Sequence, residues 1–166
     1  MKHILPLSLV LLAGSIMTTH AAPVVKSKPA SITQYQVNTD YSKMANDILS
    51  YINDYRRKKG LRALTMNSVL SAEAQKHSEN MAAHRTSFGH NGFNKRMKSI
   101  SSQVAGVNAT AENVAFGSTS AREVVDNWLK SPDHKENIEG PYTLSGIGIA
   151  ADRNGALYFT QIFIGN

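Results

Sequence analysis

Two apolar runs near the C-terminus restrict the fold more than any other feature of the chain. The first reads Gly-Ile-Gly-Ile-Ala-Ala at 146–151, and the second reads Leu-Tyr-Phe-Thr-Gln-Ile-Phe-Ile at 157–164. Between them lies Asp-Arg-Asn-Gly at 152–155, a typical turn sequence. Apolar, β-branched and aromatic residues on both sides of such a turn predict an antiparallel hairpin.

Helical spacing dominates the earlier part of the chain. Asp40 can cap a helix whose apolar residues recur every three or four positions until Gly60 ends it. Asn67 or Ser68 can cap a second helix, which we expect to end near 84–85. Both segments therefore have one apolar face that must be buried.

A third helix is predicted after Ser120, because Ser120 and Glu123 have the spacing of a capping box. Pro132 ends this helix, and a short helical turn over 132–138 follows. Helices cluster early and strands cluster late, so the sequence predicts an α+β domain in which a small antiparallel sheet is covered by helices.

The N-terminal residues have the features of an export signal. Lys2 gives a positive start, residues 4–17 are mostly apolar, and small residues follow them. We expect a signal peptide at 1–22, an extended leader at 23–39 and a single domain at 40–166. The apolar run is too short to span a membrane, so the sequence predicts a secreted or periplasmic protein with no transmembrane segment after signal removal.

Composition narrows the function classes. The chain contains no cysteine, which excludes cysteine catalysis and disulfides. Its 18 Lys and Arg residues outnumber 12 Asp and Glu residues. The basic run at 56–59 lies where a helix would end, so the helix dipole accounts for it, although acidic envelope polymers or lipid headgroups could also attract it. No nucleic-acid motif is present, and we expect a monomer.

Three short polar segments carry the candidate chemistry. His90 lies between two glycines, Glu112 lies in a small and apolar stretch, and His134 falls in the first turn of the short helix after Pro132. A carboxylate in such a stretch is buried in part and must be paired, metal-bound or protonated. The positive end of a helix keeps His134 neutral, which favours metal binding or proton transfer, but His134 could instead only hydrogen-bond a loop.

Three other residues are interpreted as structural. His77 falls on the apolar stripe of the second helix and is expected to be a satisfied core residue. His84 would lie near the C-terminus of that helix, and Trp128 is expected in the core. Nucleophile-elbow, zinc-protease and phosphate-loop motifs are absent from the sequence.

Several ordered motifs together resemble the bacterial branch of the CAP superfamily, also called the SCP domain. They are the Ala-containing helix at 74–81, Gly89-His90, Glu112-Asn113-Val114-Ala115, the Trp-x-x-Ser-x-x-His-x-x-Asn-Ile pattern at 128–138, Gly146-Ile147-Gly148 and Thr160-Gln161-Ile162-Phe163.

The resemblance implies an α-β-α sandwich with a central cleft. In this cleft His90, Glu112 and His134 would converge and could hold a divalent cation such as Zn²⁺. A second Glu found in animal members corresponds to Ser131 here, so a four-residue site is absent. The usual Gly before the Glu is Ala111.

The sequence leaves three functions open. The first is an exported module whose His90–Glu112–His134 cleft binds a divalent metal or a small polar or lipidic ligand. The second is a metal-dependent hydrolase, a protease or esterase, in which Glu112 is catalytic and activates a water. The third is a protein-interaction module at the cell envelope, in which the three residues only connect loops.

Overall fold

A computed structural model describes residues 32–166, with side chains from residue 40 onward. The predicted signal peptide at 1–22 and the first part of the leader lie outside the described residues. Five helices and four strands form the described part: α1 Ile32–Lys58, β1 Thr65–Met66, α2 Ser68–Ala82, α3 Phe93–Ser101, β2 Ala109–Phe116, α4 Ala121–Lys130, α5 Pro132–Glu139, β3 Leu144–Ala151 and β4 Leu157–Gly165. The predicted α+β class is confirmed.

The four strands form one sheet in the order β1-β3-β4-β2. β3 and β4 form the predicted hairpin, in which Leu144 pairs with Ile164 and Ala151 pairs with Leu157. β2 pairs antiparallel with β4 along its whole length and forms one edge of the sheet. The short β1 runs parallel to β3, so the sheet is mixed and the prediction of an antiparallel sheet holds only for the three long strands.

Helices cover both faces of the sheet because its side chains alternate between two cores. On one face Ile147, Phe159 and Phe163 pack with residues of α1, α4 and α5, including Trp128. On the other face a second core contains residues of α2, α3 and β4: Leu70, Ala74, Met97, Ile100, Ile162 and Ile164. This arrangement is the α-β-α sandwich that the resemblance implied.

Two glycines of β3 allow α2 to lie directly on the sheet. A Cβ atom on Gly148 would be 2.1 Å from the backbone nitrogen of Gln75, and one on Gly146 would be 2.2 Å from the carbonyl carbon of Leu70. Backbone atoms of a helix cannot move aside as a flexible side chain can. The Gly-Ile-Gly sequence is therefore required by the contact between strand and helix.

The first helix begins earlier than predicted. α1 begins at Ile32, eight residues before the expected cap Asp40, so the leader at 23–39 is not extended throughout. Residues 32–39 contain neither Pro nor Gly. Each residue added to an existing helix gains one backbone hydrogen bond, so residues 32–39 can continue the helix upstream of Asp40.

The predicted caps at Asn67 and Ser120 are confirmed, whereas the predicted cap Asp40 lies inside α1. The Asn67 side chain accepts hydrogen bonds from the backbone N–H groups of Val69 and Leu70 at the start of α2. Ser120 accepts from Glu123 N at the start of α4, and the Glu123 carboxylate binds Thr119 rather than the Ser120 backbone. α2 ends at Ala82, two residues before the expected end.

Three elements, β1, α3 and β2, were not predicted. The residue before α3 is Gly92 at φ +78°, which has no side chain to accept a capping hydrogen bond, so the usual start signal is missing. β2 has the sequence Ala-Thr-Ala-Glu-Asn-Val-Ala-Phe, which is poor in the β-branched and aromatic residues that mark strands. β2, which contains Glu112, forms a strand because it pairs with β4.

The basic run at 56–59 lies at the C-terminal end of α1, as predicted, but Arg56 has a further structural role. Arg56 is buried, with 1% of its surface exposed, and it belongs to the core rather than the surface. Four backbone carbonyls accept hydrogen bonds from its guanidinium at 2.6–3.2 Å: those of Arg62, Ile138, Gly140 and Tyr142. Arg56 thus joins α1 to the C-terminal end of α5.

None of the helices in residues 32–166 combines the length and apolar character that crossing a membrane requires.

Candidate functional site

Glu112 lies at the centre of a buried polar cluster on the α2–α3 face of the edge strand. It is 5% exposed, and both of its carboxylate oxygens are engaged. Arg96 donates from Nε to Oε2 at 2.9 Å and from Nη2 to Oε1 at 2.7 Å. His90 Nδ1 lies 3.0 Å from Oε1. The expectation that a buried carboxylate must be paired is confirmed, and its main partner is a guanidinium.

Arg96 was not identified from the sequence. It is one of the buried residues of α3, with Met97 and Ile100, and 9% of its side chain is exposed. Beyond Glu112, its Nη1 atom donates to Asn91 O at 2.8 Å. The apolar spacing of Phe93, Met97 and Ile100 places Arg96 on the buried face, so this spacing was the signal that could have revealed it.

His77 is a satisfied core residue, as predicted, but its partners belong to this cluster. It is 2% exposed; its Nε2 lies 2.7 Å from Gly89 O, and its Nδ1 lies 3.2 Å from Arg96 Nη1. An imidazole that donates from Nε2 and accepts at Nδ1 is neutral. Burial is the main cause that lowers the pKa of His77, and the nearby Arg96 charge acts in the same direction. His77 therefore fixes the backbone next to His90.

His90 is oriented by this cluster while remaining accessible. Its side chain is 53% exposed, whereas that of Glu112 is 1% exposed. The carboxylate accepts a hydrogen bond from Nδ1, which selects the tautomer with a lone pair on Nε2. A carboxylate behind an imidazole is the usual way in which proteins orient a metal-binding histidine. His90 can therefore present Nε2 to a ligand.

His134 lies in the first turn of α5, which begins at Pro132. Its backbone carbonyl accepts a hydrogen bond from Asn113 Nδ2 at 3.1 Å, and Asn137 donates to Asn113 Oδ1 at 2.9 Å. These two amides connect α5 to the residue after Glu112. Burial lowers the pKa of His134, and its electrostatic interaction with the neighbouring His90 acts in the same direction. The neutral imidazole predicted at this position is thus supported, with burial rather than the helix dipole as the main cause.

The structure brings His90 and Glu112 into contact. His134 is connected to the residue after Glu112, because its backbone carbonyl accepts a hydrogen bond from the Asn113 side chain. Among the described side chains, no group of three or more His, Cys, Asp and Glu residues is arranged to hold a metal ion. The three predicted ligands therefore do not form a ready three-ligand site. The geometry instead gives Glu112 a supporting position behind His90.

Two other predicted residues lie outside this cluster. His84 follows α2 at φ +53° and is exposed. Trp128 is 1% exposed and donates from Nε1 to Val114 O at 3.3 Å, which confirms that it is a core residue.

The fold and the cluster together define the class of this protein: a single α-β-α sandwich with a His–Glu–Arg cluster on its edge strand. Residues 49–163 match the cysteine-rich secretory protein (CAP) family. The chain belongs to this family, although it contains no cysteine, and the resemblance inferred from the motifs is confirmed.

Relatives from several bacteria share this domain. The uncharacterized protein YkwD of Bacillus subtilis (strain 168) is 27% identical over 150 residues, which cover 89% of this chain and 54% of that protein. This chain thus spans about half the length of that relative.

The structural neighbours include an outer surface protein of Borrelia burgdorferi, with a TM-score of 0.66 and 25% identity over 75% of this chain and 93% of that chain. An extracellular SCP-domain protein of Bacillus anthracis str. Ames has a TM-score of 0.63 and 21% identity over 84% of this chain and 45% of that chain. This likeness shows the fold alone.

Proposed function

We propose that this protein is an exported binding module in which His90 and His134 bind a divalent cation, such as Zn²⁺, or a small polar or lipidic ligand. The observation that carries the proposal is the orientation of His90. Its Nδ1 faces the buried Glu112 carboxylate, so Nε2 is the nitrogen left to meet a ligand.

Two neutral imidazoles would supply two of the four ligands that Zn²⁺ usually takes. Zn²⁺ binds neutral histidine nitrogens, and burial lowers the pKa of His134 so that this imidazole is neutral at pH 7. Glu112 would support His90 from behind, since both of its oxygens already accept hydrogen bonds. A bound Zn²⁺ would supply a Lewis acid at this position.

Binding is better supported than hydrolysis. A general base needs a lone pair that can reach the proton of an attacking water. Arg96 makes two hydrogen bonds to Glu112, one to each oxygen, in a site that is almost fully buried. Glu112 is thus positioned to orient His90 and to balance the charge of Arg96, rather than to accept a proton.

An interaction module at the cell envelope is the second candidate, and one surface feature favours it. Phe88 and Phe116 are 54% and 52% exposed, and both rings lie against Tyr158. Exposed aromatic side chains that cluster in this way are enriched at protein interfaces.

Export is supported by the predicted signal peptide at 1–22 and by the relatives. The Borrelia burgdorferi protein is described as an outer surface protein, and the Bacillus anthracis protein as extracellular. A secreted or periplasmic location fits both descriptions.

Calorimetric titration of the metal-stripped protein with Zn²⁺ tests the proposal. We expect one-to-one binding that is lost in the His90→Ala, His134→Ala double variant. The matched control is His84→Asn, which removes an exposed imidazole and places at φ +53° a residue that tolerates this conformation. Circular dichroism would verify that all variants are folded.

Unchanged stoichiometric binding in the double variant would contradict the two-histidine site. If the wild-type protein does not bind Zn²⁺ and the double substitution lowers only its melting temperature, the result favours the interaction module.

A further inference from the structure

A cavity of about 230 Å³ with polar lining residues lies between α2 and α3, and His77 and Arg96 form part of its lining. Each helix contributes residues three or four positions apart, so the polar stripes of the two helices face each other across it. Packed helices usually bury apolar side chains between them. A polar space in this position is therefore a candidate for binding a polar ligand.

The lining of this cavity carries an excess of positive charge. Lys76 enters from α2 and Lys95 from α3. Neither lysine forms an ion pair with a carboxylate in the described part of the chain. The acidic side chain of the lining, Glu73, accepts a hydrogen bond from Ser99 at 2.6 Å. The lining thus contains two exposed lysines and one carboxylate, which leaves one net positive charge.

A second cavity differs in its charge balance. Beside α5, Lys130 and Lys135 line a space together with Glu136 and Glu139, so the charges there balance. The α2–α3 cavity lacks this compensation, because the charge of Arg96 is already balanced by Glu112, which does not line the cavity.

Asn80 and the two lysines supply hydrogen-bond donors to the cavity. Asn80 uses its Oδ1 atom to accept from Arg85, which leaves its amide N–H₂ to donate. Lysine ammonium groups only donate, and lysine binds phosphates as a point charge. The volume lies below the roughly 300–1,000 Å³ of pockets for drug-sized ligands, so it fits a small group rather than a large molecule.

We propose that this cavity binds a small oxyanion, such as a phosphate group, between Lys76 and Lys95. This site is additional to the His90–His134 cleft and needs no metal. The oxyanion could be a free ion or the headgroup of an anionic lipid, since both present the same chemistry to the two ammonium groups.

Titration of the purified protein with inorganic phosphate, at constant ionic strength and without metal, tests this site. We expect saturable chemical-shift changes in the backbone amides of residues 92–96, as observed by NMR. The Lys76→Gln, Lys95→Gln variant should bind at least about tenfold more weakly, which corresponds to the loss of about 1.4 kcal/mol. The matched control is Lys58→Gln, Lys98→Gln, which removes two exposed charges that do not line the cavity.

A parallel measurement uses vesicles with and without phosphatidylglycerol. Phosphatidylglycerol-dependent binding that only the cavity variant loses would support the site and identify a headgroup as the source of the oxyanion. Two results would overturn the proposal: no saturable binding of either probe, or equal weakening in both double variants, which would indicate unspecific charge attraction. Neither readout involves Zn²⁺, so this proposal can fail independently of the metal-binding proposal.

Discussion

The buried pair of Glu112 and Arg96 gives the sharpest test of how the site is built. Glu112→Gln keeps the shape of the side chain but removes its charge, so the guanidinium is left in the core facing a neutral amide. The two side chains are 1% and 9% exposed, and two hydrogen bonds of 2.7 and 2.9 Å join them. Removing one partner of such a buried pair costs about 3–5 kcal/mol.

That loss is large relative to the total stability of a domain, which is on the order of 5–15 kcal/mol. Urea unfolding at neutral pH measures it directly, because Trp128, the single tryptophan, is buried and reports unfolding by fluorescence. The matched control is Asp47→Asn in the Lys43–Asp47 pair, whose side chains are 75% and 40% exposed. Solvent screens that pair, so we expect no measurable change.

A double-mutant cycle separates the pair from its surroundings. The Glu112→Gln, Arg96→Met double variant should lose less free energy of unfolding than the two single variants lose together. In the double variant no unpaired charge remains buried. Arg96 also binds Asn91 O and His77, so the double variant should not regain wild-type stability. A cost below about 1 kcal/mol for Glu112→Gln, or additive effects within about 0.5 kcal/mol, would refute the argument.

Two further predictions concern the sheet and the protonation of the core. Gly148→Ala would place a Cβ atom 2.1 Å from Gln75 N, so we expect a loss of at least about 1–3 kcal/mol; an unchanged urea midpoint would contradict this. Burial lowers the pKa of His77 below its ordinary value of 6.5. The free energy of unfolding should therefore be unaffected by this group above pH 6.5 and should decrease as the pH falls below 6.5, by at most about 1.4 kcal/mol per pH unit. Urea midpoints at about pH 7 and about pH 5.5 should differ less in His77→Gln than in the wild type, and equal differences would contradict the assignment to His77.

The sequence predicted those parts of the fold that depend on neighbouring residues. The hairpin was predictable because its turn and both strands lie within one short segment. The cap at Asn67 was predictable because a side chain and the N–H groups it accepts from are three residues apart or less. In each case the interacting residues are close together in the sequence, so the sequence pattern alone is enough to predict the element.

Elements defined by distant partners were not predictable in this way. α3 has no capping side chain, and β2 has few residues with strand preference. β2 becomes a strand because β4 pairs with it from Ala109 to Phe116, about 50 residues away in sequence. A prediction from local pattern lacks this information.

The role of Glu112 also depends on residues that are distant from it in the sequence. Its burial could be inferred from its apolar neighbours, but the choice between a metal ligand, a base and an ion-pair partner required the position of Arg96. Since Arg96 and His90 occupy both oxygens, the proposed ligand-binding role falls to His90 and His134. Substitution of the exposed His90 should therefore separate the proposed binding from stability, whereas substitution of Glu112 should change both.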